Sequence, residues 1–383
     1  MNPAPFVDSD FDDIRPYRDE ELIRVIDRLS KDPWTVRTVR RFLLPQAHFL
    51  IVPFIELCIR LYLNFKVMRV HTVDDFHYRF MRKPVLQWIR RRTMTSLTWS
   101  NFHYASKEKR SIYMTNHRDI TLDSAFLCYI LMLNKITTPE IAFGDNLLMN
   151  ELVSTIIRIN KGFIVKRNLP MREQLRQSLH LSNYIWYTLT NNRSIWLAQR
   201  GGRAKDGDDR TEPSIIKMLY LSQRKGGESF SEFINWCNII PVAISYELDP
   251  CDEIKAREVF SVRTTGEYEK GEREDLISIL RGINFPKGRV NYSFCPPLYG
   301  EWETAKQVAE EIDRRIILNY HNWPTNYISY DLMFETDKYA DKYTAIEKEK
   351  FISRFSKLKD DIYKTVLEIY ARSIINREAI TEE

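Results

Sequence analysis

Residues 114–123 read Met-Thr-Asn-His-Arg-Asp-Ile-Thr-Leu-Asp, and we interpret the rest of the chain outward from them. The residues directly before, 111–114, are typical of the end of a short buried strand. Those directly after, 124–133, are almost entirely apolar, as in a buried helix. His117 is therefore predicted in a strand-to-helix turn, where a rigid scaffold can present a catalytic group.

The residues around His117 suit a general base. A neutral imidazole can take a proton from a hydroxyl as that oxygen attacks a carbonyl. It works best when a carboxylate orients the ring and stabilises the imidazolium. The sequence offers both Asp119 and Asp123, and spacing does not choose between them. Asp119 shares a face with His117 if the turn is extended, and Asp123 faces back if a helix begins near Thr121.

Two other interpretations fit parts of this stretch. In a purely structural one, Thr121 caps the helix, Asp123 complements its dipole and His117 is a hydrogen-bonded structural histidine. The letters His-Arg-Asp also open a protein-kinase catalytic loop, but Ser124 stands where that loop needs asparagine. No Gly-rich loop precedes the stretch and no Asp-Phe-Gly follows it, so we set the kinase aside.

Composition narrows the class of protein. The 383 residues are 44% apolar, enough for one large or two medium domains with a sizeable core. Five scattered cysteines without paired metal spacing predict a reducing compartment and no zinc site. The acidic N-terminus lacks the apolar core of a secretory signal. The apolar run 42–55 is interrupted by Pro45 and Pro53, so it is a poor membrane span.

Residues 1–100 form the first of three predicted regions, an amphipathic helical region at a membrane surface. Cations outnumber acids over 69–110 and alternate there with apolar and aromatic residues, as in a segment that lies on an anionic bilayer. An ordinary surface helix or a nucleic-acid site would be the alternatives, but no nucleic-acid motif accompanies the charge. The cations are Arg69, Arg79, Arg82, Lys83, Arg90, Arg91, Arg92, Lys107, Lys109 and Arg110.

Residues 101–300 form the predicted catalytic domain. Short β-branched runs alternate there with helical stretches, which indicates an α/β fold with a mostly parallel sheet flanked by helices. Residues 301–383 form a C-terminal helical extension, broken at 323–327. The predicted strands are 111–114, 163–165, 195–198, 239–245 and 289–294, and the predicted helices are 124–133, 147–159, 171–190, 214–222, 305–320 and 340–377.

Three more polar turns follow strands of this domain. Residues 161–168 form a strand that ends in two cations. Residues 196–207 run from a strand into a glycine-rich basic loop, where backbone N–H groups can approach an anion and arginine can bind phosphate. Residues 240–247 form a strand with a proline at its start. The candidate binding residues are Arg118, Lys166, Arg167, Gly201, Gly202, Arg203, Lys205 and Pro241.

In this order the motifs resemble those of the glycerolipid acyltransferase superfamily, which includes glycerol-3-phosphate and 1-acylglycerol-3-phosphate acyltransferases. Residues 116–118 with Asp123 correspond to the Asn-His-Arg motif and its aspartate, and the turns at 162–167, 201–204 and 240–242 correspond to the other three. The resemblance covers about 104–298. Two departures stand out: one extra residue separates His117 from Asp123, and Arg200 replaces the glutamate before the glycine pair.

The resemblance implies an O-acyltransferase of phospholipid biosynthesis. His117, paired with Asp123 or Asp119, would deprotonate the hydroxyl of glycerol 3-phosphate or a lysophospholipid. The donor would be a fatty acyl thioester of coenzyme A or acyl carrier protein, with no metal or other cofactor. Arg203, with Arg167 and Lys205, would hold the acceptor phosphate.

We expect such a protein at the cytoplasmic face of a membrane, bound peripherally or monotopically, without nucleic acid. The alternatives are acyl transfer to another acceptor, such as an amino-acid lipid, and a lipid-binding protein on a catalytically degenerate fold.

Overall fold

The computed structural model describes residues 4–43, 51–67, 70–148, 151–167, 169–224, 226, 228–271 and 273–382. The chain divides into two compact units. The first comprises Met1–Val7, Trp88–Ala142 and Asn168–Glu383, and the second comprises Asp8–Gln87 and Phe143–Arg167. The division into 1–100, 101–300 and 301–383 stays a prediction.

A seven-stranded sheet forms the core of the α/β fold. Its order is β1-β7-β6-β2-β5-β3-β4, and the described pairings are parallel except for antiparallel β6 and β7. This confirms the predicted mostly parallel sheet with flanking helices. The strands are β1 (Met94–Ser100), β2 (Ile112–Thr115), β3 (Glu140–Gly144), β4 (Gly162–Val165), β5 (Ile195–Ala198), β6 (Ile239–Tyr246) and β7 (Gly288–Phe294).

The centre of the sheet positions the candidate site. Strand β2 lies between β5 and β6, with Thr115 opposite Ala198 on one side and Val242 on the other. In an open sheet of parallel strands, ligands bind outside the carboxyl ends of the strands. The turn that follows β2 and the basic loop that follows β5 therefore leave the sheet at the same edge.

Two strands were not predicted. Strand β1 reads Met-Thr-Ser-Leu-Thr-Trp-Ser and is an edge strand, so only part of its residues are buried and its apolar signal is weak. Strand β3 begins at Glu140, whose fully buried carboxylate accepts a hydrogen bond from the Tyr184 hydroxyl. A charged residue interrupts the apolar run by which a buried strand is predicted from sequence, so this strand was missed.

The first unit also contains most of the helices of the chain. The apolar run after the His117 turn is α6 (Leu122–Leu133), a helix buried over almost its whole length. The other described α-helices of this unit are α5 (Trp88–Thr93), α8 (Met171–Thr190), α9 (Pro213–Tyr220), α10 (Phe230–Cys237), α11 (Asp252–Thr265), α12 (Glu274–Asn284), α13 (Ala305–Asn319), α14 (Pro324–Met333), α15 (Ala345–Arg354) and α16 (Asp360–Glu382).

The C-terminal extension is helical, as predicted, but it is divided differently. Residues 323–327 were expected to break a helix, whereas Pro324 begins α14, because proline is well tolerated at the first helical position. The single helix expected over 340–377 is two helices, α15 and α16. Helix α16 packs against α11 and α14, so the extension is part of the first unit.

The second unit contains α1 (Asp19–Lys31), α2 (Pro33–Leu43), α3 (Val52–Val67), α4 (Val73–Phe76) and α7 (Glu151–Ile159), together with a π-helical segment at His77–Gln87 and strand β4. Leu22 and Ile26 of α1 pack with Val70, Val73 and Ile159 in its core. Within the described part of the chain, no helix is both long and apolar enough to span a membrane.

Some predicted features fall on residues that the structure does not describe. Residues 44–50 of the N-terminal apolar run, residues 149–150 of the helix expected at 147–159, Arg69 and Asn168 lie outside the described residues.

Candidate active site

The turn after β2 is fixed to the sheet by Asn116. Its buried amide nitrogen donates to the carbonyl of Ile244 at 2.9 Å, and its amide oxygen accepts from the N–H of Ile244 at 2.7 Å. The side chain thus pairs with the backbone of β6 as a further strand residue would. This pairing places the next residue, His117, directly beyond the carboxyl end of β2.

The structure brings His117 and Asp123 together. Nδ1 of His117 lies 2.9 Å from Oδ2 of Asp123, which also accepts the backbone N–H groups of Arg118 at 2.6 Å and Asp119 at 2.9 Å. The hydroxyl of Tyr246 donates to the other carboxylate oxygen at 2.9 Å. Asp123 is fully buried, and these four donors replace the water that it loses.

This geometry fixes the tautomer of His117. Two backbone N–H groups already donate to Oδ2 of Asp123, so the carboxylate acts there as an acceptor and Nδ1 of the imidazole carries the proton. Nε2 is then the unprotonated nitrogen that can accept a proton from a substrate. The Trp196 ring lies edge-on to the imidazole, with ring centroids 5.9 Å apart.

Tyr246 is kept as a donor by its surroundings. Burial, and next the Asp123 carboxylate, raise the pKa of the Tyr246 hydroxyl well above its usual value. The hydroxyl is therefore protonated at neutral pH and can donate its hydrogen bond to Asp123.

Asp119, the alternative candidate partner of His117, forms hydrogen bonds at the start of α6 instead. Its Oδ1 accepts the backbone N–H groups of Thr121 at 3.1 Å and Leu122 at 3.0 Å, so it caps the start of α6. Burial, and next the neighbouring Asp123 carboxylate, raise the pKa of Asp119. Of the two candidate aspartates, Asp123 is the one bonded to His117.

Arg118 lies in a buried ion pair. Its guanidinium is 3.1 Å from Oδ2 of Asp209 and lies over the ring of Tyr320. Burial opposes its charge, but Asp209 and other nearby carboxylates outweigh burial and raise its pKa above the ordinary value. The guanidinium therefore stabilises the turn, and a contact with substrate stays a prediction.

Two buried lysines near the turn were not foreseen. Nζ of Lys255 donates to the carbonyl of Arg118 at 3.1 Å and pairs with Asp249. Nζ of Lys287 donates to the carbonyl of Gly282, whose backbone lies against the Asp119 carboxylate. Lysine is almost never fully buried and no motif surrounds either residue, so sequence patterns do not identify them.

The basic loop after β5 carries two neighbouring cations. Gly202 has a φ of +95°, which favours glycine there. Burial lowers the pKa of Lys205, its pairing with Glu258 opposes that effect, and the nearby positive charge of Arg203 adds to it. Half-buried Arg203 has no carboxylate partner among the described residues.

A carboxylate lies beside the glycine pair even though Arg200 replaces the expected glutamate. A Cβ on Gly201 would lie 3.8 Å from Oε2 of Glu212, and the N–H of Glu212 donates to the carbonyl of Gln199 at 2.8 Å. Glu212 comes twelve residues after Arg200 in the chain. Only the folded loop, and not the spacing, reveals that it lies here.

The remaining candidate binding residues have separate places. Pro241 is buried inside β6 opposite Met114. Lys166 and Arg167 belong to the second unit, where Lys166 pairs with Asp13 at 2.8 Å. The contacts described for these three residues do not test whether they bind substrate, so that role stays a prediction. Across the described ranges no cluster of His, Cys, Asp and Glu could hold a metal ion.

Part of the chain matches the model of a known protein family. Residues 96–245 match the family model Acyltransferase. Among solved structures, the 1-acyl-sn-glycerophosphate (LPA) acyltransferase PlsC from Thermotoga maritima is similar, with 14% identity and a TM-score of 0.34 over 78% of this chain and 94% of that one. A search of curated proteins finds no match.

Proposed function

The chain contains an acyltransferase domain at residues 96–245, and we propose that it moves a fatty acyl group from a thioester to the hydroxyl of glycerol 3-phosphate or of a lysophospholipid. The observation that carries this proposal is the hydrogen bond between His117 and Asp123 within that domain. It supplies an oriented imidazole at the carboxyl end of the central strand.

The reaction follows from this arrangement. Nε2 of His117 accepts the proton of the acceptor hydroxyl as its oxygen attacks the thioester carbonyl. The carbon–oxygen bond forms, the carbon–sulfur bond breaks, and the imidazolium returns its proton to the leaving thiolate. Asp123 stabilises the imidazolium between these two steps. A base of this kind contributes roughly 10²–10⁴-fold to the rate.

The basic loop supports an acceptor that bears a phosphate. Arg203 and Lys205 are positively charged and lie near each other. Glu258 pairs with Lys205, so the charge of Arg203 is not balanced by this carboxylate. A phosphate accepts charge-assisted hydrogen bonds from arginine and relieves this repulsion. The donor in our proposal is the thioester of coenzyme A or of acyl carrier protein, and the reaction consumes no other cofactor.

An exposed apolar face on α3 supports action at a membrane surface. Phe54, Leu57, Leu61 and Phe65 follow helical spacing and are all exposed. A helix of this length with one apolar face can lie in the interface of a bilayer without crossing it. We therefore propose peripheral or monotopic attachment to the cytoplasmic face of a membrane, where a lysophospholipid and its product reside.

The test is acyl transfer from labelled palmitoyl-coenzyme A and palmitoyl-acyl carrier protein to a panel of acceptors. The panel contains glycerol 3-phosphate, 1-acylglycerol 3-phosphate, a neutral monoacylglycerol and an amino-acid lipid. We expect transfer to a phosphate-bearing acceptor that is lost in His117→Ala. The control is His321→Ala, which changes a histidine of the same unit that lies against Trp323.

Other outcomes separate the alternatives. Transfer only to the phosphate-free acceptors would replace our acceptor with another lipid. Vesicle binding without turnover on any acceptor or donor would indicate a lipid-binding protein on this fold. Full transfer by His117→Ala would contradict the mechanism itself.

A further inference from the structure

Helix α12 of the first unit carries a group of exposed apolar side chains. Leu276, Ile277 and Leu280 are exposed to 37%, 47% and 48%, and Phe285, just beyond the helix, to 44%. The three helical residues Leu276, Ile277 and Leu280 are three or four positions apart or adjacent, so they share one face of α12. Scattered exposed apolar residues are ordinary, but a group on one helix face marks an interaction surface.

Arginines without acidic partners among the described residues lie on α12 and on the adjacent helix α5. Helix α5 packs against α12 and carries Arg90, Arg91 and Arg92 in succession. Arg281 lies over the ring of Phe285, and Arg273 directly precedes α12. In the part of the chain that the structure describes, no carboxylate forms an ion pair with any of these five arginines.

The two helices are held rigidly together. The N–H of Lys287, after α12, donates to the carbonyl of Thr93 at the end of α5 at 2.6 Å. Nζ of Lys287 donates to the carbonyl of Gly282 and lies 3.5 Å from the hydroxyl of Thr93. Burying this ammonium among backbone carbonyls stabilises one arrangement of α5 relative to α12.

The opposite, buried face of α12 contacts the catalytic turn. A Cβ on Gly282 would lie 2.1 Å from Oδ2 of Asp119, so the backbone of α12 contacts the turn that carries His117. Only glycine permits this close approach. A ligand that binds the exposed face of α12 therefore lies across this helix from the turn that carries His117.

We propose that α12 and α5 form a docking face for an anionic phospholipid bilayer. The proposal rests on the proposed function in taking the acceptor from a membrane. Aliphatic and aromatic side chains enter the interface, and the unpaired arginines meet the lipid phosphates. An acidic protein partner would match the arginines but would leave the aliphatic residues exposed, so the bilayer accounts for both features.

The experiment is sedimentation of the full-length protein with vesicles. One set is pure phosphatidylcholine and the other contains phosphatidylglycerol. One variant is the triple change Leu276→Ser, Ile277→Ser and Leu280→Ser, and another is the double change Arg91→Gln and Arg92→Gln. The matched control is Ile346→Ser on α15, which removes one exposed aliphatic side chain of the same unit. A thermal melt of each protein verifies folding.

The triple variant should bind phosphatidylglycerol vesicles at least about tenfold more weakly, because it removes apolar area from the interface. The double variant should lose roughly fivefold per arginine on those vesicles and little on phosphatidylcholine, and its binding should depend less on salt. The control should bind as the unchanged protein does.

Binding by folded triple and double variants that equals the unchanged protein would overturn the proposal. Loss in the control as large as in the triple variant would overturn it as well. Transfer to water-soluble glycerol 3-phosphate is measured in parallel. Its absence in every protein would refute the proposed function without affecting the vesicle result, so the two failures are distinguishable.

Discussion

Replacing Asp123 by asparagine tests the catalytic pair most selectively. The asparagine oxygen can accept the three hydrogen bonds that Oδ2 of Asp123 accepts from His117, Arg118 and Asp119. The new amide nitrogen can donate to the Tyr246 hydroxyl, which rotates to accept. The change therefore removes the negative charge and keeps the arrangement of atoms.

The cost to catalysis follows from that lost charge. The imidazolium formed during the reaction would lie beside a neutral amide, where Nδ1 and the carboxylate oxygen are now 2.9 Å apart. Two unit charges about 4 Å apart attract by about 4 kcal/mol at an effective dielectric constant of about 20. We therefore expect kcat to fall by about 10³-fold with little change in KM. Stability should fall as well, because hydrogen bonds to a charged acceptor are stronger than those to an amide.

Steady-state acyl transfer with a phosphate-bearing acceptor measures this effect, with a denaturant titration to verify folding. Asp119→Asn is the matched control, because it makes the same carboxylate-to-amide change in the same turn, at a residue whose described hydrogen bonds cap α6 and do not include His117. We expect its kcat to stay within about threefold of the unchanged enzyme. A folded Asp123→Asn protein with nearly full kcat would refute the reasoning, as would an equal loss in Asp119→Asn.

Three further predictions concern single residues. Arg203→Gln should raise KM about tenfold or more for a phosphate-bearing acceptor but not for a neutral one, which initial-rate kinetics would show; an equal KM for both would contradict the phosphate contact. Tyr246→Phe should destabilise the protein by about 1–3 kcal/mol in a denaturant titration, because one oxygen of buried Asp123 loses its donor; an unchanged midpoint would refute this. Burial, with the charge of Lys161 next, lowers the pKa of His77 to about 3. His77 becomes protonated below about pH 6.5 in the unfolded chain but not in the folded protein. The free energy of unfolding of the second unit should therefore fall by about 2 kcal/mol between pH 7 and pH 5. Hydrogen exchange of amides near His77 should report that loss, and protection that stays constant after correction for intrinsic rates would contradict it.

The main elements of the fold could be predicted from the sequence because their apolar patterns are strong. Strand β5 and helix α8 have the predicted bounds, and the family model confirms the resemblance that the ordered motifs indicated. Edge strand β1 and strand β3 were missed, since half-exposed residues and a buried glutamate weaken the pattern. Pro324 was interpreted as a break, although proline also begins helices.

The candidate site could be predicted only in part. The motif located His117, but the choice of Asp123 over Asp119 depends on how the turn bends before α6. That bend places the N–H groups of Arg118 and Asp119 on one carboxylate oxygen, which spacing alone cannot show. Lys287 and Glu212 reach the site through contacts distant in sequence, so no local pattern marks them.

Release of thiol from palmitoyl-coenzyme A or palmitoyl-acyl carrier protein tests the central claim most directly, measured rapidly with and without a phosphate-bearing acceptor. If His117 activates the acceptor hydroxyl for direct attack, the unchanged protein releases thiol only when the acceptor is present, and His117→Ala releases almost none. A burst of one thiol per enzyme without acceptor would instead demonstrate an acyl-enzyme. Undiminished release by folded His117→Ala would show that the base is another residue.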